Sequence, residues 1–184
     1  AFYDQTKISG EPGSELVMVR NDIINGQKSV ILQLTKGKVY YSSPKLASDS
    51  LFSFVVGGVE YKIRGTQFSL EKTKRGTKLQ VAEGTVAARL YNAGNQKQMW
   101  KSLKESKPTT EILGKNGLSL NVPAYLSKLK ERKPAQIEKM FKVFQTRLKA
   151  QRLSKQQMQA LQSRFTQNRK TTVALVEEKN KIKA

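Results

Sequence analysis

The sequence predicts an α+β chain, in which short antiparallel strands form an all-β sandwich or coiled sheet that precedes a C-terminal α-helical hairpin. Between residues 15 and 90, apolar residues recur at a spacing near two and are enriched in β-branched types. Turn signals that contain glycine interrupt this pattern at short intervals. Beyond Leu118 there is no glycine, and the apolar spacing becomes that of a helix.

The first fourteen residues contain glycine, proline and serine with little periodicity, so they predict an N-terminal arm. Residues 15–121 are predicted to form the β domain. Its turn signals are Asn25-Gly26, Lys36-Gly37, Gly57-Gly58, Arg75-Gly76 and Glu83-Gly84. The segments Leu34–Val39 and Val81–Val86 share an apolar-x-x-Gly-x-Val pattern, which predicts a strand, a tight turn and a returning strand in each.

After Asn92, residues 95–106 predict a short helix, and residues 110–121 predict a last hairpin about Lys115-Asn116-Gly117. Residues 122–184 form the predicted basic helical region. Pro134 suits the first position of a helix that extends to Leu148. Ser154 and Gln157 have the spacing of a capping box, which would start a second helix and leave residues 151–153 as the turn of the hairpin. Met158, Leu161, Phe165, Thr172 and Val176 mark its inner face.

The charge of the 184-residue chain is strongly positive and unevenly spread. Lys and Arg number 34 against 14 Asp and Glu, which gives a formal charge of +20. Only 6 of the acidic residues and 20 of the basic ones lie in residues 101–184. A field of this sign attracts anionic partners such as an acidic protein, nucleic acid, lipid headgroups or an acidic glycan.

Composition also excludes several classes of site. The chain has no cysteine and no histidine, so disulfides, thiolate metal sites, the Ser-His-Asp triad and the Cys-His dyad are unavailable. The acidic residues are scattered, and no glycine loop that could cradle a phosphate is present. We therefore expect no catalytic residues, no cofactor and no metal. No apolar run approaches the roughly 20 residues of a transmembrane helix.

Within the predicted β domain, a strand, an Arg-Gly-Thr corner with a following aromatic residue and an acidic-Gly turn succeed one another. The residues are Arg64, Gly65, Thr66, Phe68, Glu83 and Gly84. This order and spacing resembles the FecR domain family, over about residues 28–92. We expect Gly65 to adopt a conformation closed to side chains, Thr66 to bond locally to the backbone, and Phe68 to enter the core. Glu83-Gly84 is expected to form a β-turn.

The resemblance implies an all-β fold of periplasmic or envelope proteins, of which some relay transmembrane signals and many are interaction modules without enzyme activity. The first residues, Ala1-Phe2-Tyr3-Asp4, suit a chain released from a signal peptide. Both observations predict a periplasmic or otherwise exported protein. The helical region lies outside the resemblance.

The basic helices are the predicted partner-binding element. Their cationic residues are Lys128, Lys130, Arg132, Lys133, Lys139, Lys142, Arg147, Lys149, Arg152, Lys155, Arg164, Arg169 and Lys170. The leading hypothesis is a non-enzymatic structural protein that docks on a larger envelope-side assembly, such as a periplasmic filament, a flagellar sheath or the cell wall. The alternatives are a polyanion binder, for nucleic acid or an acidic glycan, and a signal-relay module related to FecR regulators.

Overall fold

The computed structural model of the chain is dominated by one β-sheet. It describes residues 6–24, 27–44, 51–91, 112–123 and 150–167. Nine strands form the sheet within these ranges. They are β1 (Lys7–Gly10), β2 (Glu15–Ile24), β3 (Gln27–Ser42), β4 (Leu51–Val56), β5 (Val59–Thr73), β6 (Gly76–Leu90), β7 (Ile112–Lys115), β8 (Leu118–Pro123) and β9 (Ala150–Arg152). Helix α1 occupies residues 155–167.

Strand β3 is long enough to belong to two parts of the sheet. Its first half pairs antiparallel with β2 and parallel with β4. Its second half pairs antiparallel with β1 and β5. The change of partners falls at Gly37, whose φ is 83°. This bend coils the sheet, so the predicted β-rich fold is confirmed, with one parallel strand pair in an otherwise antiparallel arrangement.

The core lies on one face of the sheet, because alternate side chains of its long strands point there. Its centre is aromatic. The rings of Tyr41 and Phe68 stack with centroids 5.1 Å apart, and Phe54 meets Phe68 edge-on at 5.7 Å. All three residues are completely buried. The prediction that Phe68 enters the core is confirmed.

Several glycines predicted to reverse the chain instead bend a continuing strand. Gly57-Gly58 and the turn before Gly76 do connect consecutive strands, as predicted. Gly37 and Gly84, in contrast, lie inside β3 and β6. The predicted β-turn at Glu83-Gly84 is therefore wrong, and so is the strand-turn-strand interpretation of both segments with the shared glycine pattern. Asn25-Gly26 lies outside the described residues.

The hairpin predicted about Lys115-Asn116-Gly117 is also wrong. Strands β7 and β8 both pair antiparallel with β6, and they follow one another along it. The chain therefore continues in one direction through Asn116 and Gly117, and the Gly117 N–H donates a hydrogen bond to the Val81 carbonyl of β6 at 2.8 Å. The short helix predicted over residues 95–106 lies outside the described residues.

The predicted C-terminal helical hairpin is not supported. Among the described residues one helix is present, α1, and the helix predicted from Pro134 to Leu148 lies outside them. Residues 150–152, in the segment expected to turn between two helices, form strand β9 and pair with Leu118–Leu120 of β8. Backbone pairing at the sheet edge satisfies groups that a helix–helix turn would have left to solvent.

Residues 7–10 of the predicted arm form β1, which pairs with Val39–Ser42 of β3. No helix in the described ranges is long and apolar enough to cross a membrane.

Candidate functional site

The Arg-Gly-Thr corner and the Glu83-Gly84 bend lie against each other in neighbouring strands. The register of β5 and β6 shifts between Arg64 and Phe68, so both strands bend at the same level. Gly65 and Gly84 have φ values of 55° and 80°. A Cβ atom on Gly84 would overlap the Gly65 carbonyl oxygen and lie 2.6 Å from Cγ2 of Thr66. The motif is thus a close backbone contact, and the conformation expected for Gly65 is confirmed.

Thr66 does not behave as expected. Its hydroxyl is buried and makes no hydrogen bond with the described part of the chain, so the predicted local bond to the backbone is wrong. The backbone carbonyl of Thr66 instead accepts a hydrogen bond from the Ser43 N–H at 3.2 Å. Thr66 therefore fills space under the bend and connects β5 to the end of β3.

Helix α1 starts where the sequence predicts. The Gln157 N–H donates to the Ser154 hydroxyl at 3.2 Å, and the Ser154 N–H donates to the Gln157 side-chain oxygen at 2.9 Å. This reciprocal pair is the predicted capping box. Just before it, the Leu153 N–H donates to the Gly117 carbonyl at 2.6 Å. The helix start is therefore joined to the bend between β7 and β8.

The inner face of α1 packs on the sheet face opposite the aromatic core. Leu161 is buried against Tyr40 and Ala82, and Leu153 and Phe165 pack around them. The rings of Phe165 and Tyr40 meet edge-on at 6.0 Å. Because Leu161 and Phe165 lie four residues apart, they share one face of the helix. The predicted inner face is confirmed at Leu161 and Phe165, and it contacts the sheet. Thr172 and Val176, predicted for the same face, lie outside the described residues.

A charged cluster surrounds Tyr40 at the edge of this contact. The Tyr40 hydroxyl donates to Glu11 at 2.6 Å, and the Lys38 ammonium lies 3.5 Å from the same carboxylate. That hydrogen bond, together with the charges of Lys38 and Arg164, lowers the pKa of Glu11. Burial and the hydrogen bond to Glu11 raise the pKa of Tyr40. The cluster thus links the connection between β1 and β2, strand β3 and helix α1 through charges and a hydrogen bond.

Three of the predicted partner-binding cations lie in the described residues. Arg152, Lys155 and Arg164 are exposed, and none forms a salt bridge with a carboxylate in the described ranges. Arg152 precedes α1, Lys155 lies in its first turn, and Arg164 lies near its end, close enough to Glu11 for its charge to act on that carboxylate. The other predicted cations of this group, from Lys128 to Lys149 and at Arg169 and Lys170, lie outside the described residues.

The outer side of α1 is polar. A shallow depression of about 410 Å³ is lined by Gln159, Gln162, Ser163, Thr166 and Gln167. A second depression of about 430 Å³ lies beside the start of the helix. It is lined by Gly84, Thr85, Lys115, Asn116, Leu118 and Arg152. Together these surfaces can offer hydrogen bonds and positive charge to a partner. In the described ranges, no cluster of acidic side chains is suited to hold a metal ion.

Two features escaped the sequence prediction. Glu60 and Arg89 form a buried ion pair across β5 and β6, with 2.8 Å between Arg89 Nε and Glu60 Oε2. Each looks like an ordinary surface charge in sequence, although opposite charges in facing strands could have suggested a pair. The second feature is strand β2, where Val17, Met18, Val19 and Ile23 are exposed. The run of apolar, largely β-branched residues from Leu16 to Val19 predicts a strand but not its position at an edge.

The model of the family described as FecR protein matches residues 1–87, which confirms the resemblance. The fold is similar to a crystal structure from Parabacteroides distasonis described as a candidate anti-sigma factor, with a TM-score of 0.50 and 10% identity over 86% of this chain. A second structure with that description, also from P. distasonis, has a TM-score of 0.46 and 10% identity over 85% of the chain. The chain spans 56% and 60% of those two proteins. No curated protein matches it.

Proposed function

We propose that this chain, which carries a FecR domain in residues 1–87, is a non-enzymatic regulatory binding protein of an exported compartment that relays a signal by contacting a protein partner. In this proposal the β-sheet is the scaffold. Helix α1 and the cations beside it form the partner-binding surface. The surface is defined by Arg152, Lys155, Gln159, Ser163 and Arg164.

The observation that carries the proposal is the docking of α1 on the family domain. The helix packs through Leu161 and Phe165 on Tyr40 and Ala82, which lie inside the FecR segment. Its capping box and the Leu153–Gly117 hydrogen bond hold its start. A surface that is already ordered loses less conformational entropy when a partner binds. The helix is thus well suited to recognition.

The composition of the surface favours an acidic protein partner. Arg152, Lys155 and Arg164 are exposed without salt bridges to described carboxylates, whereas glutamine, serine and threonine side chains between them can donate and accept hydrogen bonds. Complementary charge accelerates association and fixes the orientation of the partner. The guanidinium groups of Arg152 and Arg164 can bind a carboxylate through two hydrogen bonds, which fixes its orientation more closely than a lysine ammonium does.

A relay role is favoured over a role as a structural subunit. The FecR family and the description of the Parabacteroides protein as a candidate anti-sigma factor both point to regulation. Nothing in the comparisons supports docking on a periplasmic filament, a flagellar sheath or the cell wall.

A polyanion is the second candidate partner, because exposed cations also gather away from α1. Lys72, Lys74 and Arg75 surround the turn between β5 and β6, and Lys36 lies exposed at the facing end of β3. Such a patch would bind phosphates with little sequence preference. It also supplies a matched control for experiments on α1.

The test is capture of partners from the envelope fraction of the source cell, with nuclease present and at low and high salt. The captured protein would be identified and its binding to the purified chain measured. We expect Lys155→Glu with Arg164→Glu to weaken binding at least tenfold, since opposite charge is replaced by like charge. Lys72→Glu with Lys74→Glu makes the same change of net charge at the other patch and should leave binding unchanged.

The opposite pattern would overturn the proposal. If the Lys72 and Lys74 variant loses binding, and nuclease or a salt wash removes everything captured, the chain is a polyanion binder. If neither pair of substitutions matters, α1 is not the binding surface.

A further inference from the structure

The edge strand β2 differs from every other edge of the described sheet. Strands β1, β7 and β9, each with one described partner, are three or four residues long. Strand β2 is ten residues long and pairs only with β3 among the described strands. Natural proteins usually keep edge strands short or charged, because an open edge invites pairing with another chain.

Apolar side chains accompany the open edge. Val17, Met18 and Val19 are about half exposed, at 45%, 53% and 44%, and Ile23 is 77% exposed. These are four of the five large hydrophobic residues that are exposed in the described structure. The open backbone and the exposed apolar side chains therefore coincide on one strand, which is the combination used in recognition by strand addition.

The charge of β2 identifies the occupant. The strand carries one basic and two acidic residues, whereas the whole chain has a formal charge of +20. A second copy of this chain could thus approach here with less repulsion than at the cationic patches. Residues Arg20 and Asp22 are partly exposed and lie on one face of the strand, 3.3 Å apart.

Symmetry selects the register. In an antiparallel pair of identical strands, one residue faces its own copy across the two-fold axis. With Arg20 or Asp22 at the axis, like charges face each other. With Asn21 at the axis, Arg20 of each copy faces Asp22 of the other. The register of β2 is regular from Arg20 to Ile24, after an irregularity between Met18 and Arg20.

We propose that β2 is a self-association surface, through which two copies of this chain pair antiparallel about Asn21. The β3 side of β2 is already occupied, so pairing ends at two copies. The dimer would join two sheets into one and would present two α1 helices.

A thiol at the axis tests the geometry directly, because the chain contains no cysteine. Facing Cα atoms in an antiparallel pair lie about 4.5–5.5 Å apart, within the range of about 4.4–6.8 Å seen in disulfides. We expect Asn21→Cys in the full chain to form a disulfide-linked dimer under mild oxidation. Lys72→Cys, exposed at the end of the β5–β6 hairpin, should remain monomeric under the same conditions.

Sedimentation velocity of the thiol-free chain supplies the second readout. We expect a monomer–dimer equilibrium that Arg20→Asp weakens at least about tenfold, since two like-charge pairs replace two opposite pairs. Adding Asp22→Arg to that variant should restore the dimer. Lys72→Asp changes the net charge equally and should have no effect.

A chain that stays monomeric at the highest attainable concentration overturns the proposal, as does a dimer that is indifferent to Arg20→Asp. Equal cross-linking of the Asn21→Cys and Lys72→Cys variants would also overturn it, because it would reflect random collision.

Discussion

Arg89 and Glu60 face each other across β6 and β5, with 2.7 Å between Arg89 Nη2 and Glu60 Oε2, and both side chains are almost completely buried. A buried pair of this kind is expensive to break on one side, because the remaining charge stays desolvated. The pair connects the central hairpin of the sheet on the face opposite the aromatic core.

We therefore expect Arg89→Met to lower the free energy of unfolding by roughly 3–5 kcal/mol. The double variant Glu60→Gln with Arg89→Met should lose markedly less free energy of unfolding, because no charged group of the pair then remains buried without its partner. Urea denaturation followed by fluorescence of the aromatic residues measures both. Equal losses for the single and double variants would contradict this account.

Gly84→Ala tests the close backbone contact between the Arg-Gly-Thr corner and the Glu83-Gly84 bend. The substitution combines a left-handed backbone with overlap against Gly65 and Thr66, so we expect a loss of roughly 2–5 kcal/mol from strain and overpacking. Gly13→Ala is the matched control: φ is 78° there, and a Cβ atom would meet nothing within 4 Å. It should cost only about 1–2 kcal/mol. Thermal unfolding of the two variants separates the steric overlap from the backbone effect.

Leu161→Ala should release α1 from the sheet without unfolding the sheet. Leu161 is the buried residue of the helix, and its contacts are with Tyr40 and Ala82. An isolated helix of this length is marginal in water, so hydrogen exchange should become faster in residues 155–167 and stay slow in β3, β5 and β6. Gln162→Ala, on the exposed side, should leave the exchange of the helix unchanged. Faster exchange throughout the sheet would show that the helix and the sheet unfold together.

The cluster of Glu11, Lys38 and Tyr40 predicts two pH limits for stability. The pKa of Glu11 is lowered from 4.5, chiefly by the hydrogen bond from Tyr40, so its contribution is present above that value and is lost as pH falls through the folded pKa. The pKa of Tyr40 is raised from 10.0 by burial and by Glu11, so its contribution is present below that value and is lost as pH rises through the folded pKa.

Tyr40→Phe removes the shared hydrogen bond and should reduce both dependences. The free energy of unfolding, measured from acid to alkaline pH, should change less steeply at both ends of the range than in the unsubstituted chain. A variant with an unchanged pH dependence would show that these groups do not couple to folding.

Local features of this protein were decided by the sequence itself. Alternating apolar residues specify strands because their side chains must share one face, and Ser154 and Gln157 specify a helix start because their side chains reach nearby backbone groups. The residues from Arg64 to Gly84 likewise predicted the FecR segment, since the contact between Gly65 and Gly84 tolerates no side chain. Each of these signals depends on neighbours in the chain or on atoms that the backbone itself supplies.

Only the tertiary structure decided what the glycines and the edges do. A glycine with positive φ serves a tight turn or a mid-strand bend equally well, and the choice at Gly37, Gly84 and Gly117 depended on which strands lay on each side. The same holds for β9, which lies where the sequence predicts a turn between two helices and is a strand because it pairs with β8. It also holds for β2, whose edge is exposed because no described strand covers it. Local propensity settles whether a segment is extended or helical, whereas pairing between residues far apart in sequence settles where it lies and which of its surfaces meets solvent.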